Sequence, residues 1–402
     1  MSGHHVTTLK HSARPLPPLP DCEDKTTSLY VHIPFCRTKC DYCSFVSFPV
    51  GNGNINEYME ALLKQAEIIS RHPWVLERKF KSLFVGGGTP TIYDNDSLAR
   101  LIEHCLHLFR FDSKPEITVE TNPNTVTLEK LITLTAAGVN RLSIGIQSFS
   151  DRLLKLLGRS HSAADGLNSV KSARIAGFTN ISLDLMYGLP GQTITDWKET
   201  LETAATISPE HLSIYELTIE EGTGFAQRAD KGELILPDED RVIEMDDLTL
   251  NVTEKTGYQR YEISNFAKPG RKCTHNINYW ENRNYVGLGA AAFSCFSGVR
   301  VQNITDPSEF TRLIKKKMPP FLKAESLPNE ARFRETVIMG LRMLSGVSIT
   351  MLEQRFDLTP RTYYGEILQK LISNNLIMIS ANHMKLTEKG LRLANQVMAQ
   401  LV

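Results

Sequence analysis

Residues 30–45 read Y-V-H-I-P-F-C-R-T-K-C-D-Y-C-S-F. A short apolar run, S-L-Y-V-H-I (28–33), leads almost directly into Cys36, Cys40 and Cys43, spaced C-x3-C-x2-C. The run is β-rich and bounded by a proline, so the thiols fall on a loop at the end of a strand. Three thiolates are one short of a closed tetrahedral zinc site, and no fourth Cys or His follows at close range. Clustered thiolates also hold iron–sulfur clusters. A four-iron cluster with three protein ligands keeps one iron open to a substrate or cofactor. Three unrelated buried cysteines would have no reason to share this spacing in a loop.

Downstream, β-rich runs alternate with helical patterns. The strand candidates are 28–33, K-S-L-F-V (81–85), E-I-T-V-E (116–120), R-L-S-I-G-I (141–146), I-S-L-D-L-M (181–186) and L-S-I-Y-E-L (212–217). Segments 55–69 and 96–109 repeat apolar residues at helical spacing, the second with Asp96 or Ser97 as expected N-cap. Such alternation implies a parallel sheet with right-handed crossovers, an open doubly wound sheet or a curved barrel. The strand ends are polar: the cysteine loop, G-G-G-T-P (86–90), Glu120, Gln147, Asp184, then Glu216 and Thr218. In barrels chemistry collects at the carboxyl ends of strands, so these ends are expected to share one site. The glycines let a ligand approach the backbone and let N–H groups face it. They form neither a Walker A motif nor a dinucleotide fingerprint.

The 402 residues suggest one large domain plus a smaller one. Lys+Arg and Asp+Glu both number 45, so no net field favours nucleic acid or an anionic membrane. No apolar run approaches the roughly 18 to 20 residues that span a bilayer. Seven unevenly clustered cysteines fit a reducing compartment better than a disulfide framework. Residues 1–27 read as a flexible tail: they lack a secretory core, and Pro15, Pro17, Pro18 and Pro20 break any amphipathic helix. The expected compartment is the cytoplasm, with the mitochondrion as the alternative because no acidic residue precedes Asp21.

The pattern divides into a core at 28–225, an extension at 226–306 rich in aromatic and amide residues, and a final section at 307–402. That last section reads as helices, a hairpin at 376–387 around Ala381-Asn382, and a closing helix, a winged-helix-like order. With no concentrated basic stripe, it is expected to pack or dock a partner rather than bind DNA.

The C-x3-C-x2-C loop after a first strand, with Tyr42 before the last cysteine, resembles the radical SAM superfamily. The chain resembles more closely the branch of the oxygen-independent coproporphyrinogen III oxidases and HemW-type haem chaperones. Shared strings are Y-V-H-I-P-F-C, G-G-G-T-P, S-I-G-I-Q-S-F, L-G-R, D-L-M-Y-G-L-P-G-Q and H-N-I-N-Y-W, from about residue 28 to the C-terminus. The resemblance implies a partial (β/α) barrel. It also implies a 4Fe–4S cluster on Cys36, Cys40 and Cys43, its fourth iron chelating S-adenosylmethionine (SAM). By the same resemblance Gly87, Gly88 and Thr89 would bind the methionyl end. Tyr30 and Tyr42 would line the pocket, and Glu120, Gln147, Arg159 and Asp184 would hold the remaining SAM groups.

Within the branch, the oxidases carry a further cysteine two positions after the third and a longer N-terminal segment. Here that position is Phe45, and 35 residues precede Cys36. The H-N-x-x-Y-W string (275–280) marks the HemW-like group, which is thought to bind haem and pass it to acceptor proteins. His275 is then the expected haem ligand and Cys273 the weaker one. Relatives often read G-A-H-S where this chain has Ala292-Phe293-Ser294, so a histidine is missing there. The resemblance implies a haem carrier, with haem, acceptor proteins and a flavodoxin- or ferredoxin-type electron donor as partners and no nucleic acid. Any membrane contact would be peripheral. The alternatives are the oxidase and, more distantly, an iron–sulfur or zinc interaction protein.

Overall fold

The computed structural model describes residues 6–8, 26–51 and 54–402. Apart from residues 6–8 and 26–27, the expected N-terminal tail lies outside the described residues. All six expected strands form: β1 (Thr26–Ile33), β2 (Lys79–Gly87), β3 (Phe111–Thr121), β4 (Arg141–Gln147), β5 (Ile181–Tyr187) and β6 (His211–Glu216). They lie side by side in chain order and every neighbouring pair is parallel. A seventh parallel strand, β7 (Tyr285–Leu288), pairs with the free side of β1.

Antiparallel strands extend both edges. Phe293–Phe296, Val299–Asn303, Phe321–Ser326 and Val6–Thr8 continue beyond β7, and Asn265–Ala267 and Gln259–Arg260 continue beyond β6, giving a sheet of thirteen strands among the described residues. The period-2 alternation of a strand separates two environments. Leu29, Val31, Leu83, Val85, Val119, Leu142 and Leu183 bury in the main core against helices such as α1 (Ile55–Ser70) and α2 (Asn95–Leu108). Each such buried aliphatic side chain contributes roughly 1.5–3 kcal/mol. The alternate residues, including Tyr30, Glu120 and Asp184, are left for the inner face. The α2 cap differs from expectation: Asp94 accepts from the Ser97 N–H at 2.7 Å, so the helix starts slightly earlier.

A second core gathers Phe333, Val337, Leu341, Leu352, Phe356, Leu368, Leu371 and Met384. It is built on α3 (Asn329–Leu341), shorter helices and a three-stranded antiparallel sheet, the winged-helix-like arrangement expected. The hairpin turns at Ala381 and Asn382, both left-handed (φ 47° and 63°). The second core begins later than residue 307. Helix Pro307–Lys315 sends Phe310 and Ile314 into the main core, and Phe321–Ser326 joins the thirteen-stranded sheet. The closing helix is interrupted at Leu393, into Glu388–Arg392 and Ala394–Ala399.

Candidate functional site

The cysteine loop is fastened at both ends and at its middle. Phe48 N–H donates to the Pro34 carbonyl at 2.7 Å and Val50 N–H to the Cys36 carbonyl at 2.9 Å. Asp41 donates its N–H to Leu157 and accepts from the Phe225 N–H, while Tyr42 packs toward Phe225. His32, which the sequence reading did not single out, pins the loop from inside. Its Nδ1 meets the Tyr30 hydroxyl at 2.8 Å and its Nε2 the Val46 carbonyl at 3.0 Å. Burial lowers the His32 pKa, so the ring is neutral, with Nε2–H donating and Nδ1 accepting.

Cys36, Cys40 and Cys43 are all free and part-exposed on this loop. The Thr89 hydroxyl donates toward the Cys36 sulfur and the Arg159 guanidinium toward the Cys40 sulfur, each at 3.6 Å. Donors aimed at sulfur stabilise thiolate, the form that ligates iron. Burial meanwhile pushes the Cys36 and Cys43 thiols above their usual value. A thiolate set of this kind fits an iron–sulfur cluster. Among the described residues no group of three Cys, His, Asp or Glu side chains could hold a single metal ion, so the fit to a cluster rests on the chemistry of the thiol loop and of the donors aimed at it.

The glycine loop works differently from expectation. Its N–H groups do not face a ligand: Gly87 donates to Glu120 Oε2 (3.0 Å), Gly88 to Ile33 (2.7 Å) and Thr89 to Phe35 (2.7 Å). The glycines are required by close approach within the chain. A Cβ on Gly87 (φ 112°) would lie 2.5 Å from the His32 ring, and one on Gly88 2.5 Å from the Phe35 carbonyl oxygen. With these donors engaged, the loop can offer a ligand acceptors rather than N–H donors.

Glu120 and Asp184, each half-buried, face the same recess. Burial, then mutual repulsion, raises Glu120 to about 7. Asp184 is raised to about 6, chiefly by burial, although the Ser143 hydroxyl donates to it at 3.1 Å and Arg141 and Arg159 oppose the shift. Gln147 sits at φ 66° where the β4–β5 register shifts, an uncommon conformation for a non-glycine residue. Beside it Arg159 donates to the Gly145 carbonyl at 2.5 Å. Glu216 does not join this group. Alternation turns its neighbour Tyr215 to the inner face beside Asp184, where the residue is still 41% exposed.

A cavity of about 510 Å³ opens between the cysteine loop, β1 and β7, lined by Tyr30, His32, Phe45, Val46, Gly87, Glu120, Tyr279, Tyr285, Phe293 and Arg300 among others. The proposed haem ligands do not line it. His275 is 1% exposed and lies toward the amino ends of the strands, stacked on Phe84 at 4.9 Å. Ser82 donates to Ser28, which makes His275 Nδ1 the donor to Ser82 and leaves Nε2 a buried lone pair without a partner. Burial lowers its pKa to about 3. Cys273 is wholly buried, its thiol pushed up to about 12 by burial and directed at Glu116 (3.5 Å). Thus Tyr30, Tyr42, Gly87, Gly88, Thr89, Glu120, Gln147, Arg159 and Asp184 gather with the cysteines at one rim, while His275 and Cys273 lie deeper.

Residues 30–204 match the model of the radical SAM superfamily, and residues 327–393 that of the HemN C-terminal domain. The chain is similar to the Heme chaperone HemW of Bacillus subtilis, with 37% identity over 92% of this chain and 97% of the relative. It is also similar to the mouse mitochondrial radical S-adenosyl methionine domain-containing protein 1, with 31% identity over 96% of this chain and 89% of that one. The coproporphyrinogen III oxidase HemN of Escherichia coli superposes with a TM-score of 0.81 at 26% identity, covering 93% of this chain and 89% of that one. Fold and rim therefore define a radical SAM protein, whose superfamily implies a 4Fe–4S cluster and SAM. Within that superfamily, the chain belongs to the HemW family.

Proposed function

We propose that this protein binds haem beside its cluster site and passes it to acceptor proteins. The observation that carries this reading is Phe45. Where the oxidase branch holds a further thiol, this chain presents an aromatic side chain, 63% exposed, on the wall of an aromatic-lined cavity. A mostly apolar cleft with few polar groups suits a flat macrocycle. The relatives named Heme chaperone HemW support the same reading.

Cys36, Cys40 and Cys43 would hold the cluster, which with SAM supplies one-electron reductive chemistry when bound. The chain's own groups organise that rim. Arg159 and Thr89 stabilise cysteine sulfur, His32 fixes the loop, and Glu120 and Asp184 offer acceptors suited to ribose hydroxyls. The electron donor is proposed to be of the flavodoxin or ferredoxin class, and the C-terminal unit is proposed as a docking module. The compartment is proposed as the cytoplasm, the mitochondrion being the alternative raised by the mouse relative's name. Among the described residues no helix is long and apolar enough to cross a membrane. The superposition on HemN favours one other reading, radical decarboxylation of coproporphyrinogen III.

Anaerobic reconstitution should give a brown protein whose iron–sulfur absorbance is lost in Cys40→Ala. Added haem should then give a Soret band, which His275→Ala should leave in place because that side chain lies buried beneath the cavity; a shifted band would mean that His275 reaches the iron. Anaerobic conversion of coproporphyrinogen III to protoporphyrinogen IX would overturn the carrier reading in favour of the oxidase.

A further inference from the structure

Arg300 connects the cavity to the C-terminal unit. It lies on Val299–Asn303 opposite Cys295 and lines the cavity with Tyr279, Tyr285 and Phe293. Its guanidinium is ion-paired with Glu335 on α3, both side chains about a quarter exposed. The other Glu335 oxygen accepts from Asn282 Nδ2 at 3.3 Å. Of the remaining polar lining residues, His32 is held between Tyr30 and Val46, Tyr30, Tyr279 and Tyr285 carry hydroxyls, and Glu120 would repel an anion if ionised.

An aromatic wall can hold a porphyrin face but does not orient it. A porphyrin that carries propionates needs a fixed cation, and the planar fork of arginine matches a carboxylate with two donors. Arg300 supplies such a fork at the cavity wall, already occupied by a carboxylate of the same chain. Replacing that carboxylate by one from the cargo keeps the guanidinium paired, while the displaced Glu335, about a quarter exposed, keeps the Asn282 amide as a donor.

We propose that Arg300 is the carboxylate clamp for a haem propionate and that Glu335 is its internal competitor. Loading the cavity then transfers the guanidinium from Glu335 to cargo and loosens the hold of α3 on the barrel. This rests on the haem-carrier reading and adds to it which residue orients the cargo and how the C-terminal unit senses it.

The test is a Soret titration of the full chain with iron protoporphyrin IX and, in parallel, with its dimethyl ester, which has no free carboxylate. Arg300→Ala should weaken haem binding about tenfold or more and leave the ester unchanged. Glu335→Gln should tighten haem binding several-fold, again with no effect on the ester. Haem, but not the ester, should also speed amide exchange in α3 of the wild type. Equal weakening of both ligands by Arg300→Ala would mark a merely structural residue and overturn the proposal. So would Glu335→Gln leaving haem binding unchanged or weaker. A wild-type protein that binds neither ligand would overturn the carrier reading itself, and the clamp with it. A protein that binds both, with both variants indifferent, overturns the clamp alone.

Discussion

Glu120 combines three demands on one carboxylate. It accepts from Gly87, it sits against Asp184, and it is raised to about 7 by burial first and that neighbour second. A carboxyl whose folded pKa exceeds its ordinary 4.5 favours the fold in its protonated form. Its contribution is therefore present below about pH 4.5 and is lost as pH rises through about 7. The cofactor-free protein should show a falling urea midpoint between pH 5 and 8, and Glu120→Gln should flatten part of that fall. A variant with the wild-type slope would show that Glu120 does not carry the titration. At this scale the sequence singled out the loop thiols and the rim carboxylates because those residue types are tied to their chemistry, and the fold brings them to one rim. It misassigned the glycine loop, since whether an N–H faces a ligand or a neighbouring carbonyl depends on strands brought alongside by folding. The roles of His32, Ser143 and Arg300 were hidden for the same reason, although His32 stands within the quoted opening stretch.

At the scale of elements, local signals were reliable where they were long or carried turn chemistry. Six strands with β-branched cores were legible, and so was the hairpin at Ala381-Asn382. Strand β7 was not, because Y-V-G-L is short and runs into glycine and alanine. Phe321–Ser326 was absorbed into a helical reading because F-L-K-A-E-S has no clear alternation. The hairpin also offers a test. Both turn residues are left-handed, a conformation that asparagine tolerates and alanine does not. Ala381→Asn should stabilise the C-terminal unit by about 1 kcal/mol, read as a higher urea midpoint with an unchanged m-value. No gain would mean that the turn is not held as described.

At the scale of the whole molecule, the main core and the C-terminal core meet through Ile263, which packs on the latter, and through polar contacts around Arg342. Arg342, just after α3, lies over the Trp280 ring at 4.4 Å and 3.9 Å from the fully buried Glu262. Ile263 N–H donates to the Arg342 carbonyl at 3.1 Å. Removing the guanidinium leaves Glu262 buried with Arg260 as its remaining cationic neighbour, a cost on the order of 1–3 kcal/mol. Arg342→Met should therefore lower the unfolding midpoint and release the C-terminal unit first, seen as an early change in Trp280 fluorescence. Arg342→Met together with Glu262→Gln should recover much of the loss. Failure of the double variant to recover would place the effect in lost ring packing instead.

The sequence by itself determined what is local: the thiol loop, the strand periodicity, the turn residues and the family strings, each set by a few neighbouring side chains. Only the tertiary structure decided what meets across the chain. It placed β7 against β1, drew Glu120 and Asp184 into one recess, buried His275 beneath Phe84, and set Arg300 between the cavity and Glu335. Those outcomes depend on long-range packing and on the desolvation it imposes. Phe45 belongs to both levels: its identity separates two chemistries in the sequence, and its exposure on the cavity wall is a product of the fold.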